Sequence, residues 1–213
     1  MVCGSDPVIT IGYCLGGLFS CALHSSLNKA NLIGQILIAT PWDFSHFKNV
    51  LGLSNPLILD NFIAMVSSLD RVSPALVQWF FSSIDSYKIW QKFCQFSDMD
   101  DEDEINKFIL IEQWVNDGIS LSKKFSLEAL SMLNSSFLDK NKFFSKNKVN
   151  PCLFIGGNKD KIVPSSSYKL MCESLNSEVL IKETGHIGLV VGKKAKEEIY
   201  PAIEIWLYQK VSN

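Results

Sequence analysis

Arginine is almost missing from this chain: Arg71 is the only one, and every other basic residue is Lys. Surfaces that read phosphates or nucleic acid rely on guanidinium forks. The formal net charge of −2 supplies no long-range pull on a polyanion either. No nucleic-acid partner is therefore expected. Long apolar runs are missing too. None reaches the roughly 18 residues of a membrane-spanning helix, so no transmembrane segment is expected. The opening MVCGSDPVITIG has neither the charged leader nor the long apolar stretch of a signal peptide. The six cysteines (Cys3, Cys14, Cys21, Cys94, Cys152 and Cys172) form no C-x-x-C pair. That argues against a zinc knuckle or a disulfide framework and leaves the reducing cytoplasm as the expected location. The acidic run DMDDEDE at 98–104 lacks the glycine bend and ligand spacing of a calcium loop. It reads as a solvated loop or a helix N-terminus, and no metal site is expected.

What is present is a globular composition, 47% hydrophobic and 20% charged over 213 residues, enough for one domain with a sizeable core. A mean hydropathy of +0.14 is slightly apolar. It suggests a covered surface: a partner, an oligomer or an apolar substrate phase.

Pro7 to Ile11 is a short β-branched run read as a buried strand, ending at Gly12. A helical pattern follows from Gly17 to about Leu27, then a second strand from Leu32 to Ala39. Two strands flanking one helix make a βαβ unit and hence a parallel sheet. Residues of about 56–137 read as helices, one starting at Pro74 and others over Ser86–Phe96, Glu104–Val115 and Ser126–Leu133. The aromatics there, Trp79 to Phe96, read first as helix-packing core and second as the lining of an apolar channel. Residues 139–150 form a polar linker. A third strand runs from Pro151 to Gly157, a helix from Ser166 to about Leu175, and a fourth strand from Glu178 to Lys182. The last helix reaches about Lys210, with Pro201 at a kink or in a first turn.

Gly12-Tyr13-Cys14-Leu15-Gly16-Gly17 lies between a strand and a helix, the context of a nucleophile elbow. Glycines two before and two after Cys14 permit a tight, strained turn. That turn puts Cys14 at a helix N-terminus, where negative charge on sulfur is favoured. A buried structural Cys is the plainer alternative. Elbows of this type are followed in the chain by an acid and then a His. Asp160 lies just past the third strand and His186 just past the fourth, and strand C-terminal ends gather function in parallel sheets. His24, within the first helix, and His46, after Pro41-Trp42-Asp43, read as surface or packing residues. Asp43 is the rival acid and reads as structural. Asn158-Lys159-Asp160 could equally be a plain turn.

At these residues the chain resembles a polyhydroxyalkanoate synthase. GYCLGG is similar to that family's lipase-like box, in which Cys replaces Ser. TPWDF at 40–44, EQWVNDG at 112–118 and GGNKDKIVP at 156–164 resemble further family segments. TGHIGLVVGKKAKEEIYPAIEIWL at 184–207 is similar to the class that works with a second subunit. The resemblance runs from about Pro7 to Leu207 and is loosest over 45–110. It departs at Lys161, where the family usually has His.

The resemblance implies an α/β-hydrolase fold in a single partial domain over 1–213, with a helical cap inserted at about 45–137. It implies Cys14 as acyl-carrying nucleophile with Asp160 and His186 as partners. The Leu15 N–H would be an oxyanion donor and Trp114 a wall of the site. The substrate would be (R)-3-hydroxyacyl-CoA, polymerised to a polyester. No cofactor is implied, because coenzyme A is part of the substrate and the leaving group. The N-terminal strands of such a fold are expected to be missing, which leaves the elbow strand as an apolar edge. That edge implies a separate N-terminal half, a second synthase subunit or a homodimer partner, or else an inactive remnant. A polyester granule surface is a further partner consistent with the resemblance. Two other functions stay open: a cysteine-dependent thioesterase or lactonase, and a non-catalytic interaction subunit.

Overall fold

The computed structural model describes residues 6–26, 31–45, 56–134 and 150–211. Cys3, His46 and all but the last residue of the linker at 139–150 lie outside the described residues. The chain divides into two compact units, residues 1–46 with 136–213, and residues 47–135.

The first unit is built on a parallel sheet of β1 (Val8–Tyr13), β2 (Leu32–Ile38), β5 (Cys152–Gly157) and β6 (Glu178–Lys182), in the spatial order β1-β2-β5-β6. β1 is followed by helix α1 (Leu15–Ser26), β5 by α7 (Ser165–Ser174), and β6, after a short 3₁₀ turn (Ile187–Leu189), by α8 (Tyr200–Val211). The two inner strands read LIGQILI and CLFIGG. They are continuous apolar runs because both their faces are covered. Ile36, Leu37, Phe154 and Ile155 are fully buried, each contributing about 1.5–3 kcal/mol of apolar burial. Among the described strands β1 is the outermost on its side, and Ile11 stays exposed. α8 is tied to β6 through Glu178, which accepts from Trp206 Nε1 at 3.0 Å and pairs with Lys210 at 2.9 Å. Pro201 sits in the first turn of α8, directly after a π-helical turn over Ala195–Ile199. Proline has no N–H for the Glu197 carbonyl and its ring crowds that oxygen, so a wider turn relieves the clash.

The second unit contains helices α2 (Pro56–Ser68), α3 (Pro74–Ile84), α4 (Ser86–Ser97), α5 (Glu102–Asn116) and α6 (Lys123–Asn134). A two-residue antiparallel pair, β3 (Arg71–Val72) with β4 (Leu121–Ser122), completes it. Three of these helices start on a side-chain cap: Ser73, Asp85 and Asp101. Ser73 caps α3 by accepting from the Leu76 N–H, with Pro74 at the first position. Asp101 caps α5 through the Glu104 N–H at 2.9 Å, and Glu102, Asp103 and Glu104 fill its first turn. The acidic run is thus a helix start whose carboxylates oppose the positive end of the dipole. Packing accounts for part of the aromatic series: Phe96 stacks on Phe108 at 4.3 Å and Phe93 meets Phe108 edge-on. Trp79, Tyr87 and Trp90 depart from the packing reading and remain exposed. α4 buries none of its residues.

Candidate active site

Cys14 occupies the single residue between the end of β1 and the start of α1, with φ of 52°. That left-handed conformation costs a side-chain-bearing residue about 1–3 kcal/mol. The turn is held from both sides. The Cys14 N–H still donates to the Ile38 carbonyl of β2 at 2.8 Å, and the Gly17 N–H returns to the Cys14 carbonyl at 3.0 Å. The glycine requirement differs from the expected spacing. A Cβ at Gly12 would lie 2.5 Å from the Gly17 Cα, and one at Gly17 would lie 1.8 Å from the Thr40 hydroxyl. One at Gly16 would meet nothing within 4 Å. Gly12 and Gly17, not Gly12 and Gly16, let strand, turn and helix approach this closely. Leu15 is the first residue of α1, so its N–H has no partner within the helix and projects from the N-terminus.

Asp160 follows β5. Its own N–H donates to the Gly157 carbonyl at 3.2 Å, closing the turn that carries it. Its side chain is fully buried, and Oδ1 accepts from the Ile162 and Val163 N–H groups, both at 2.8 Å. Oδ2 faces His186 Nδ1 at 2.7 Å. A carboxylate saturated in this way holds one rotamer. His186 follows β6, at the head of the 3₁₀ turn, with its side chain only 8% exposed. With Nδ1 committed to Asp160, Nε2 is the nitrogen left to face the Cys14 side chain, whose proximity raises the ring's pKa. Burial works against a charged ring, but Asp160 and Cys14 beside it outweigh that and hold His186 at about 9. The fold thus brings Cys14, Asp160 and His186 together at the C-terminal ends of β1, β5 and β6.

A fourth residue at this place carried no signal in the sequence. The Tyr13 ring lies 4.9 Å from the His186 ring, tilted by 36°. Its hydroxyl donates to the His186 carbonyl at 3.4 Å.

The other candidates of the first unit have partners of their own. His24 bridges Thr10 at 3.0 Å and Asn150 at 2.9 Å, beside a Ser20–Gln35 bond, which makes it part of a polar network between α1 and the sheet. Asp43 accepts from the Ser45 N–H at 2.8 Å, and its carbonyl accepts from the Ser167 hydroxyl. Trp114 is on α5 of the second unit and about half exposed. Cys21, Cys152 and Cys172 are buried, and burial pushes their thiols up to about 12, 11 and 12. Among the described residues, no group of three His, Cys, Asp or Glu side chains could hold a metal ion. No described helix is long and apolar enough to cross a membrane.

No protein-family model matches the chain. Among curated proteins it is similar to the poly(3-hydroxyalkanoate) polymerase subunit of Thiocystis violacea, 29% identical over 96% of this chain. It is likewise 28% identical, over 97% of its length, to the subunit of that name from Allochromatium vinosum. The chain spans 61% of the length of each of these relatives. Among solved structures it superimposes on a thermophilic esterase from Thermogutta terrifontis, with a TM-score of 0.56, 16% identity, and 96% of this chain and 65% of that one covered. A lipase in its open form gives a TM-score of 0.59 at 14% identity, covering 97% of this chain and 66% of that one. The fold is that of the α/β-hydrolases.

Proposed function

We propose that this relative of the poly(3-hydroxyalkanoate) polymerase subunits carries the thiol chemistry of a polyester-forming acyltransferase, with Cys14 as nucleophile, His186 as its proton carrier and Asp160 as the orienting acid. The observation that supports it is the placement of one imidazole between a saturated carboxylate, 2.7 Å from Nδ1, and the Cys14 side chain.

On this reading the His186 ring takes the thiol proton, and Asp160 stabilises the imidazolium that results. The Cys14 sulfur attacks the thioester carbonyl of a (R)-3-hydroxyacyl-CoA. The N–H of Leu15 stabilises the developing oxyanion. When the tetrahedral adduct collapses, the bond to the coenzyme A sulfur breaks and His186 returns the proton to that leaving group. The acyl group now sits on Cys14 as a new thioester. The hydroxyl of a second hydroxyacyl unit then attacks it, giving its proton to His186. An ester bond forms and the cysteine is released. A thiol suits this sequence because thioester exchange is close to isoenergetic and the acyl group stays activated for the alcohol. Trp114 is proposed as an apolar contact for the acyl chain. Coenzyme A enters and leaves as part of the substrate. A second polypeptide, a second copy or the polyester phase is proposed to cover the margin of β1.

Hydrolysis is the competing outcome, because the same three residues would serve a thioesterase if water replaced the alcohol. One incubation with (R)-3-hydroxybutyryl-CoA separates the two. Polymerisation releases coenzyme A together with insoluble polyester, whereas hydrolysis releases it with soluble acid. Cys14→Ala is expected to lower coenzyme A release by at least about 10³-fold. Release that survives this substitution would remove the assignment, and a chain that never releases coenzyme A would be a non-catalytic member of the fold.

A further inference from the structure

Tyr13 ends β1 and is covalently joined to Cys14, yet its ring and its hydroxyl both reach the loop after β6, 173 residues away. The contacts differ in kind. One is ring against ring, 4.9 Å between centroids; the other is a hydroxyl donating to the main-chain carbonyl of His186. That carbonyl also accepts the Leu189 N–H at 3.2 Å, the bond that opens the 3₁₀ turn. Burial, with Cys14 and Asp160 adding to it, pushes the Tyr13 hydroxyl far above its ordinary range, so it remains a donor.

The Asp160 bond alone leaves the imidazole underdetermined. A single Nδ1···Oδ2 contact sets the tautomer and one direction in the ring plane. It does not stop the ring from turning about that line, and the second side-chain torsion of histidine has broad wells. The Tyr13 ring beside it, tilted by 36°, stands in the way of that turning. The hydroxyl bond fixes the stretch of main chain from which the ring hangs. Because Tyr13 and Cys14 are consecutive, a shift of the elbow carries the clamp and the sulfur together and preserves their register with the ring.

We infer that Tyr13 is a positioning residue, which holds the His186 imidazole in the orientation that faces the Cys14 sulfur while touching neither the sulfur's target nor the reacting atoms. The inference rests on the pairing of Cys14 with His186 proposed above. It adds that the pairing is maintained from the strand side as well as from Asp160.

The test measures alkylation of Cys14 by iodoacetamide at pH 7 in the full chain, followed by peptide mass mapping. No acyl-CoA takes part, so the result does not depend on the identity of the substrate. The mapping reads Cys14 apart from the other five cysteines, of which Cys21, Cys152 and Cys172 are buried. The quantity read is the rate ratio between the protein and its His186→Gln variant, which reports how far the ring assists the sulfur. A ratio of about tenfold or more is expected with Tyr13 in place. In a Tyr13→Ala background it is expected to collapse to about twofold or less, with Tyr13→Leu giving the same result if the alanine variant does not fold. Tyr13→Phe keeps the ring face and is expected to retain most of the ratio. A Tyr13 that merely supported the fold would lower the melting temperature and leave the ratio intact, and that result overturns the inference. A ratio near one in the otherwise unchanged protein would instead remove the Cys14–His186 pairing itself.

Discussion

At the elbow, two adjacent glycines face different constraints. Gly16 opens on free space, whereas Gly17 abuts Thr40, whose Oγ1, Cγ2 and Cβ would lie 1.8, 2.6 and 2.7 Å from an added Cβ. Gly16→Ala is therefore expected to fold and to keep a wild-type melting temperature. Gly17→Ala is expected to lose about 1–3 kcal/mol by overpacking, measured by urea denaturation. Thr40→Ala in the same chain should return only part of the loss, because its Cβ remains too close. The motif GYCLGG made Cys14 legible from sequence, as did the strand ends that precede Asp160 and His186, because each is a local pattern. The choice between Gly16 and Gly17 was not legible: it depends on Thr40, which lies just past the end of β2. Nor was Tyr13, whose partner is set by the order of strands in the sheet and leaves no trace in its own neighbourhood.

Elements announce themselves when they are long enough to show a period. β2 and β6 run at or within one residue of the positions that their apolar runs indicate, and the helices from Pro74 and Ser86 begin where proline and a capping residue place them. β3 and β4, two residues each, carry no period and are strands only because they pair. The π-helical turn before Pro201 was likewise hidden, since the sequence shows the proline but not which way the preceding turn yields. The acidic segment resolves at this scale as well. Asp101→Ala should cost about 1 kcal/mol through loss of the bond to the Glu104 N–H, seen as a lower urea midpoint. Adding calcium or zinc should leave that midpoint where it was, since the carboxylates start a helix and do not surround an ion.

Over the whole molecule, the buried His186–Asp160 pair couples stability to pH. The folded ring titrates at about 9, above the ordinary value of 6.5. Its contribution is therefore complete below about pH 6.5, declines as pH rises between the two values, and is gone above about pH 9. The gap in melting temperature between wild type and His186→Gln is expected to be widest near pH 6.5 and to close by pH 9.5. A gap that widened with alkali would contradict the sign. The topology has a kinetic side too. β2 ends at Ile38 and its neighbour β5 begins at Cys152, with the second compact unit lying between them in the chain. Joining the two strands closes a loop on the order of a hundred residues, and each doubling of a floppy loop adds only about 0.6 kcal/mol to the entropic barrier. If the intervening helices collapse first, the effective tether is shorter and the central sheet forms sooner. If they do not, the exposed hydrophobic strand waits. Refolding rate, more than final stability, is where loosening the helical insert should first be felt.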